Sequence, residues 1–182
     1  SDDFVTEVEK YIKVHKPEHI VVWSTVPIGT CADIDVRIVH SPVEGVHPSL
    51  ELSIRTMERW IGYNQKPEGL FFAGYFGDLG LRTKLVPSTY FTEAIKLLST
   101  SKYGINLVWA DYEKDVADKL GMDYQLIKDF TTEYNRLYKD LGMGERFQKF
   151  VLDPPEGKIL GHCVVPNAVL LDRQYPDDLV KK

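Results

Sequence analysis

Three stretches of this 182-residue chain hold side chains whose types and spacing fit chemistry better than packing. The first is Gly161-His162-Cys163-Val164-Val165-Pro166-Asn167, preceded by Pro154-Pro155-Glu156-Gly157. Prolines restrict the backbone on both sides of this corner, which makes it a rigid display for a thiol. A displayed thiol suits nucleophilic chemistry, provided its thiolate form is accessible. The second is Ser24-Thr25-Val26-Pro27-Ile28-Gly29-Thr30, a hydroxyl-bearing loop after an apolar run. The third is Thr92-Glu93-Ala94-Ile95-Lys96, at the head of a long helical pattern. Each has a plain reading too. A lone cysteine is commonly a small core hydrophobe, and Cys31 is expected to be structural. His162 can simply pack, and Thr25 can simply shape the turn before Pro27. Lys96 follows Ile95 by about 100° of helix rotation, so it can face either way.

The elements that must position these residues are legible in outline. Residues 2–16 carry Phe4, Val8, Tyr11 and Ile12 at helical spacing, and Pro17 stops the run. His19-Ile20-Val21-Val22-Trp23 reads as a short buried strand of the kind found in a parallel sheet. Strand signals recur at 36–39, 60–63 and 82–86, with helical stretches at 49–59 and 69–79 between them. Ser88 or Thr89 is the expected N-cap of a helix that ends at Gly121. Its apolar stripe is Phe91, Ile95, Leu98, Ile105, Trp109, Tyr112, Val116 and Leu120. A helix of about 32 residues spans ~48 Å, long enough for a domain spine or a dimer seam. A second helix is expected over 123–141, with shorter ones at 145–152 and 166–173. The chain thus divides into an α/β part, 1–87, and an all-α part, 88–182.

Composition narrows the function classes. The content is 43% hydrophobic and 27% charged, ordinary for a globular protein that buries its own core. A net charge of -5 argues against nucleic acid as a partner, because phosphate binding needs clustered Lys and Arg. No apolar run approaches the ~20 residues of a membrane helix. Only Cys31 and Cys163 are present, in no C-x-x-C pattern, which suits free thiols in a cytoplasmic, reducing setting. The histidines and the two cysteines form no zinc-ligand set of the C-x-x-C with H-x-x-x-H kind, so no metal site is expected.

The motifs, taken in order, resemble the UDP-glucose/GDP-mannose dehydrogenase family. Ser24 to Thr30 is similar to that family's S-T-V-P-V-G-T loop. Ser41-Pro42 with Val46-His47-Pro48 resembles its S-P-E-R-V-x-P-G segment, and Thr92 to Lys96 its A-E-L-A-K helix start. Leu120-Gly121-Met122-Asp123 resembles its L-G-(I/A)-D break, and Gly161-His162-Cys163 with Pro166 its G-G-H-C-x-P loop. The resemblance implies a partial, Rossmann-like parallel sheet followed by a helical domain with a long spine helix, like the C-terminal domain of 6-phosphogluconate dehydrogenase. It implies NAD-dependent oxidation of a UDP- or GDP-sugar C6 alcohol to a uronate. Cys163 is then the nucleophile, Lys96 the group that steadies the alkoxide or oxyanion, and Thr25 a neighbour of the nicotinamide. Ser24 and Thr25 become cofactor-binding residues, and Thr100, His162 and Asn167 substrate-binding residues. A homodimer through helix 88–120 is also implied.

Departures from the family pattern are specific. Thr100 stands where the family has asparagine, Asn167 where it has aspartate, and Val43 where it has glutamate, with Glu44 one step along. Asp111-Tyr112 replaces an Asn-Glu pair. An amide at 167 cannot take a proton as a carboxylate can. No G-x-G-x-x-G follows a strand, so the pyrophosphate cradle of a dinucleotide fold is not encoded here. The expectation is a truncated or divergent nucleotide-sugar dehydrogenase. The alternative is a non-catalytic relic that binds nucleotide sugar or serves in assembly.

Overall fold

The computed structural model describes residues 2–45, 48–155, 157 and 163–177. Contacts divide the chain into two compact units. The first comprises Ser1–Ser99 with Arg173–Tyr175, and the second Thr100–Asp172 with the tail from Pro176. The division falls inside the long helix, twelve residues beyond the boundary at 87 that the sequence suggests.

The first unit is an α/β layer structure. Its elements are α1 (Asp2–His15), β1 (Ile20–Val22), α2 (Thr30–Ile34), β2 (Ile38–His40), α3 (Leu50–Thr56), β3 (Arg59–Tyr63), α4 (Lys66–Asp78) and β4 (Thr83–Pro87). The start of α5 (Thr89–Leu120) completes it. Strand order is β1-β2-β3-β4. β1 pairs with β2 in parallel, Ile20 opposite Ile38, and β3 with β4 in parallel, Ile61 opposite Leu85. The seam between β2 and β3 is antiparallel, with His40 opposite Gly62. The sheet is thus mostly parallel, as expected, but built from two βαβ pairs that meet in opposite directions.

Alternation along the strands puts successive residues on opposite faces. On one face Val22 and Ile38 join Val26 and Cys31 beneath Phe4, Val8 and Ile12 of α1. On the other, Val39 and Ile61 meet Phe72 and Phe76 of α4. This is why β1 reads as an unbroken apolar run: both faces are covered. The packing of α1 follows from its helical spacing, since residues 4, 8 and 12 lie on one stripe. Arg59 is buried at the head of β3, where its guanidinium lies 5.1 Å from the Trp23 ring and Nη2 donates to Ser41 O at 3.1 Å. That bond holds the segment after β2.

The entry of α5 is crowded. Ser88 takes φ 112, a region that non-glycine residues avoid, and its Oγ accepts from Tyr90 N at 3.2 Å. The helix then passes directly over Gly62. A Cβ there would stand 2.2 Å from Thr92 Oγ1 and 3.0 Å from Ser88 O. Only glycine lets the first turn of α5 lie this close to the sheet.

In the second unit, α5 continues and is followed by α6 (Tyr124–Asp140), α7 (Gly144–Phe147) and α8 (Val164–Gln174), whose last residues belong to the first unit. Gly121, at φ 66, ends α5 as expected, with Met122 N bonded back to Ala117 O. The buried positions of α5 include Leu97, Ser101, Ala110 and Ala117, whereas Phe91, Leu98, Trp109, Tyr112 and Leu120 of the sequence-level stripe are exposed. Small residues line the covered face because neighbours approach closely, as Val164 of α8 does at Gly104. The helix expected over 145–152 is only four residues long. Beyond it the Asn135 side chain bonds both Lys149 N and Lys149 O, which draws the chain out of helical form.

The contact at Gly62 sets an expected outcome. Gly62→Ala will destabilise the chain by about 1–3 kcal/mol through overpacking against Thr92 and the Ser88 carbonyl. Denaturant unfolding measures it, and an unchanged midpoint contradicts the close approach.

Candidate functional site

In the first unit, the segment that follows β1 is held at both ends by the first turns of α5. At its start, Ser24 O accepts from His40 Nε2 at 3.1 Å, and His40 Nδ1 lies 2.9 Å from Thr92 Oγ1. At its end, the Glu93 carboxylate accepts from Gly29 N at 2.6 Å and from Cys31 N at 2.9 Å. Between these points Ile28 exchanges two hydrogen bonds with the Gln174 side chain, at 2.8 and 2.9 Å. Gly29, at φ 100, serves as N-cap of α2 without a side chain to offer. Glu93 supplies the missing acceptor from a distant part of the chain. Ser24 is exposed and Thr25 half-buried, so this fixed loop presents two hydroxyls beyond the carboxyl end of β1. Open α/β sheets place ligands at such strand ends.

The polar groups under the loop are fully enclosed. His40, Thr92 and Glu93 are each at most 1% exposed. A carbonyl only accepts, so His40 Nε2 carries the proton toward Ser24, and Nδ1 of the neutral ring is an acceptor. The single Thr92 hydroxyl proton is divided between Nδ1 and Thr89 O, 3.0 Å away. Burial, helped by the positive charge of Lys96, pushes the His40 pKa down to about 4 against the hydrogen bond that Nε2 donates to Ser24 O. Burial raises the Glu93 pKa, with Asp33 adding to it, while the Cys31 and Gly29 amides and the Cys31 thiol pull it back. Burial first, and Glu93 second, drive the Cys31 thiol well above its ordinary range. Cys31 is therefore an inert, packed thiol, as expected for a structural cysteine.

Lys96 lies one turn beyond Glu93. Its Nζ donates to Val43 O at 2.7 Å and to Glu44 Oε2 at 3.3 Å. The lysine thus faces inward, toward the segment after β2, and Ile95 takes the exposed side. Glu44 brings a carboxylate to Lys96 although Val43 holds the position at which the resemblance expects one. Loops following β1 and β2 are in this way both fastened to two successive turns of α5.

The remaining sequence candidates lie in the second unit. Cys163 is exposed and precedes α8, and its carbonyl accepts from Asn167 N at 3.2 Å. Asn167 is buried, and among the described residues its Nδ2 has no hydrogen-bond partner. Thr100 is half-buried on α5. His162, like Val46 and His47, lies outside the described residues. Sequence reasoning did not assign roles to Glu93, His40 or Thr92. The available signal was a glutamate on the same side of an otherwise apolar helical turn as Lys96.

For a dinucleotide the fit is partial. The Ser24 and Thr25 hydroxyls suit the amide end of a nicotinamide. The amides of Gly29 and Cys31, which open α2 and would suit a phosphate, are already filled by Glu93. Among the described residues no cluster of three or more His, Cys, Asp or Glu is placed to hold a metal ion. No described helix is long and apolar enough to cross a membrane.

No family model matches the chain, and no curated protein matches it significantly in sequence. Solved structures do match. The UDP-D-ManNAc dehydrogenase from Pyrococcus horikoshii superposes with a TM-score of 0.76 at 17% identity, covering 97% of this chain and 44% of that one. The NDP-N-acetyl-D-galactosaminuronic acid dehydrogenase from Methanosarcina mazei gives 0.68 at 18% identity, over 98% of this chain and 41% of that one. The UDP-N-acetyl-mannosamine dehydrogenase from S. aureus gives 0.66 at 17% identity, over 93% of this chain and 42% of that one. The chain spans less than half the length of each. It has the fold of nucleotide-sugar dehydrogenases over that part of their length: the mostly parallel sheet and the long helix with its helical companions.

His40 makes stability depend on pH in a defined direction. Its folded pKa of about 4 lies below the ordinary histidine value of 6.5. Its contribution is therefore complete above pH 6.5 and is lost as pH falls toward 4, because the unfolded chain takes the proton first. The raised Glu93 pKa works in the opposite sense, its contribution fading as pH rises above the ordinary carboxylate value. The difference in unfolding free energy between the wild type and His40→Gln isolates the histidine. It will shrink by on the order of 3 kcal/mol across that window in denaturant titrations. Parallel curves contradict the buried neutral ring.

Proposed function

We propose that this chain is the catalytic-core portion of a nucleotide-sugar 6-dehydrogenase, acting on the C6 alcohol of a UDP- or GDP-sugar. The observation that carries this reading is the fastening of the Ser24–Thr25 loop and the Lys96 helix into one block, within a fold shared with such enzymes. NAD, when bound, accepts hydride. The reaction also needs a pyrophosphate cradle and a sugar-nucleotide site, and the exposed stripe of α5 supports a homodimer seam.

The residues take complementary parts. In the first oxidation the C6 alcohol loses its hydroxyl proton and a hydride, giving the aldehyde. The Cys163 thiolate then adds to the aldehyde carbon, forming a C–S bond and an alkoxide. Lys96 donates a hydrogen bond to that oxygen as negative charge develops, exchanging Val43 O or Glu44 for it. Loss of a second hydride leaves a thioester. Water cleaves its C–S bond, releasing the uronate and returning the thiol. Thr25 orients the groups at the hydride-transfer end. Asn167 holds the position after the thiol but takes up no proton, so water carries the proton of the hydrolytic step to bulk solvent.

A non-catalytic reading draws on a specific observation: Lys96 is already ion-paired, and the carboxylate expected near the thiol is the amide of Asn167. Turnover with NAD+ and UDP-glucose, UDP-N-acetylmannosamine or GDP-mannose separates the readings. The proposed reaction predicts two NADH per uronate, a loss of about 10³-fold or more in Cys163→Ala, and about 10²-fold in Lys96→Ala. Uronate formation that survives Cys163→Ala overturns the thiol mechanism. Nucleotide-sugar binding without any NADH establishes the scaffold reading instead.

A further inference from the structure

Glu93 stands at the start of the second turn of α5 with no part of its side chain exposed, and its two carboxylate oxygens accept from two different amides of the segment after β1. A helix of five residues such as α2 ordinarily obtains its N-terminal acceptor locally, from a Ser, Thr, Asp or Asn at the N-cap. Here the N-cap is Gly29, and the acceptor arrives from 64 residues away. Burying a carboxylate is costly unless its hydrogen bonds are complete, which is a large expense for capping one short helix. A local cap would fix α2 alone, whereas this one ties α2 and its loop to α5.

Three further features point the same way. His40 carries a second tie, from Ser24 O to Thr92 on the same turn of α5. Ser88 holds a strained φ, and Gly62 lacks the Cβ that would keep the helix away. Backbone strain persists only where surrounding contacts over-determine it, and it concentrates where geometry serves function. Three residues after Glu93, on the same side of the helix, stands Lys96. We infer that Glu93 is a positioning residue: it locks the loop bearing Ser24 and Thr25 to the helix bearing Lys96, so the two are presented as one rigid block. The consequence for catalysis rests on the reaction proposed above; the lock itself does not.

The isosteric Glu93→Gln variant tests both parts. A glutamine offers one acceptor oxygen and one NH₂, so one of the two amides then faces a donor. Hydrogen exchange across residues 24–31 is expected to rise about tenfold or more, with protection of β2 and β3 unchanged. Unchanged exchange at 24–31, or a uniform loss of protection across the sheet, overturns the lock. Should the variant not fold, the wild type still decides. Under mild denaturant the Gly29 and Cys31 amides must open at the same free energy as residues 92–97 of α5, and independent opening refutes the lock.

In turnover with NAD+ and UDP-glucose, Glu93→Gln is expected to lower kcat about tenfold while the KM for the sugar nucleotide moves by less than about threefold. Leu97→Ala, a buried neighbour on the same helix, is the control for mere destabilisation and is expected to hold kcat within about twofold. Equal losses in the two variants overturn a positioning role. Absence of turnover in the wild type counts against the proposed reaction, and the exchange result then decides the lock by itself.

Discussion

The carboxylate of Glu93 is the constraint on which the first unit depends. Both its oxygens accept hydrogen bonds where no water reaches, and this is tolerable only because Gly29 N, Cys31 N and the Cys31 thiol all point at it. Those donors exist only if the segment after β1 turns sharply at Gly29 and α2 begins at Thr30. The helix end and the loop therefore specify one another. His40 repeats the arrangement on a smaller scale, bridging Ser24 and Thr92 with both ring nitrogens.

These buried ties determine what the exposed face offers. Because the amides at the head of α2 are spent on Glu93, the loop presents side-chain hydroxyls rather than an anion cradle. Because Lys96 reaches the segment after β2, its charge sits beside Val43 and Glu44 rather than in open solvent. The result is a polar rim at the strand ends, with a lysine, a carboxylate and two hydroxyls supported from below by groups that cannot move independently. The thiol route proposed above needs such fixed placement, since misplacement by about 1 Å costs large factors in rate.

Much of the framework was legible because its elements obey simple periodicities. Phe4, Val8 and Ile12 announce α1, and Gly121 announces the end of α5 to the residue. The quoted motifs fall on the loop after β1 and on the start of α5. What could not be read depends on contacts distant in sequence. No local signal shows that β2 and β3 run antiparallel, or that Asn135 pulls Lys149 out of helical form. The stripe of large residues on α5 suggested its covered face, yet Ser101, Gly104 and Ala117 are among its buried positions, and at Gly104 Val164 lies too close for a side chain. Glu93 lies inside a quoted motif, but its sequence context does not distinguish it from the ordinary, solvated glutamate of a helix. Only the tertiary structure reveals that its partners are backbone amides.

The most direct measurement is NMR of the labelled chain, reading scalar couplings across hydrogen bonds from the amide nitrogens of Gly29 and Cys31 to the Glu93 carboxyl carbon. Both couplings, with a carboxyl shift characteristic of the ionised form at neutral pH, are the predicted result. Their absence, or a carboxyl shift characteristic of the protonated acid with the two amides exchanging freely, contradicts the account at its root.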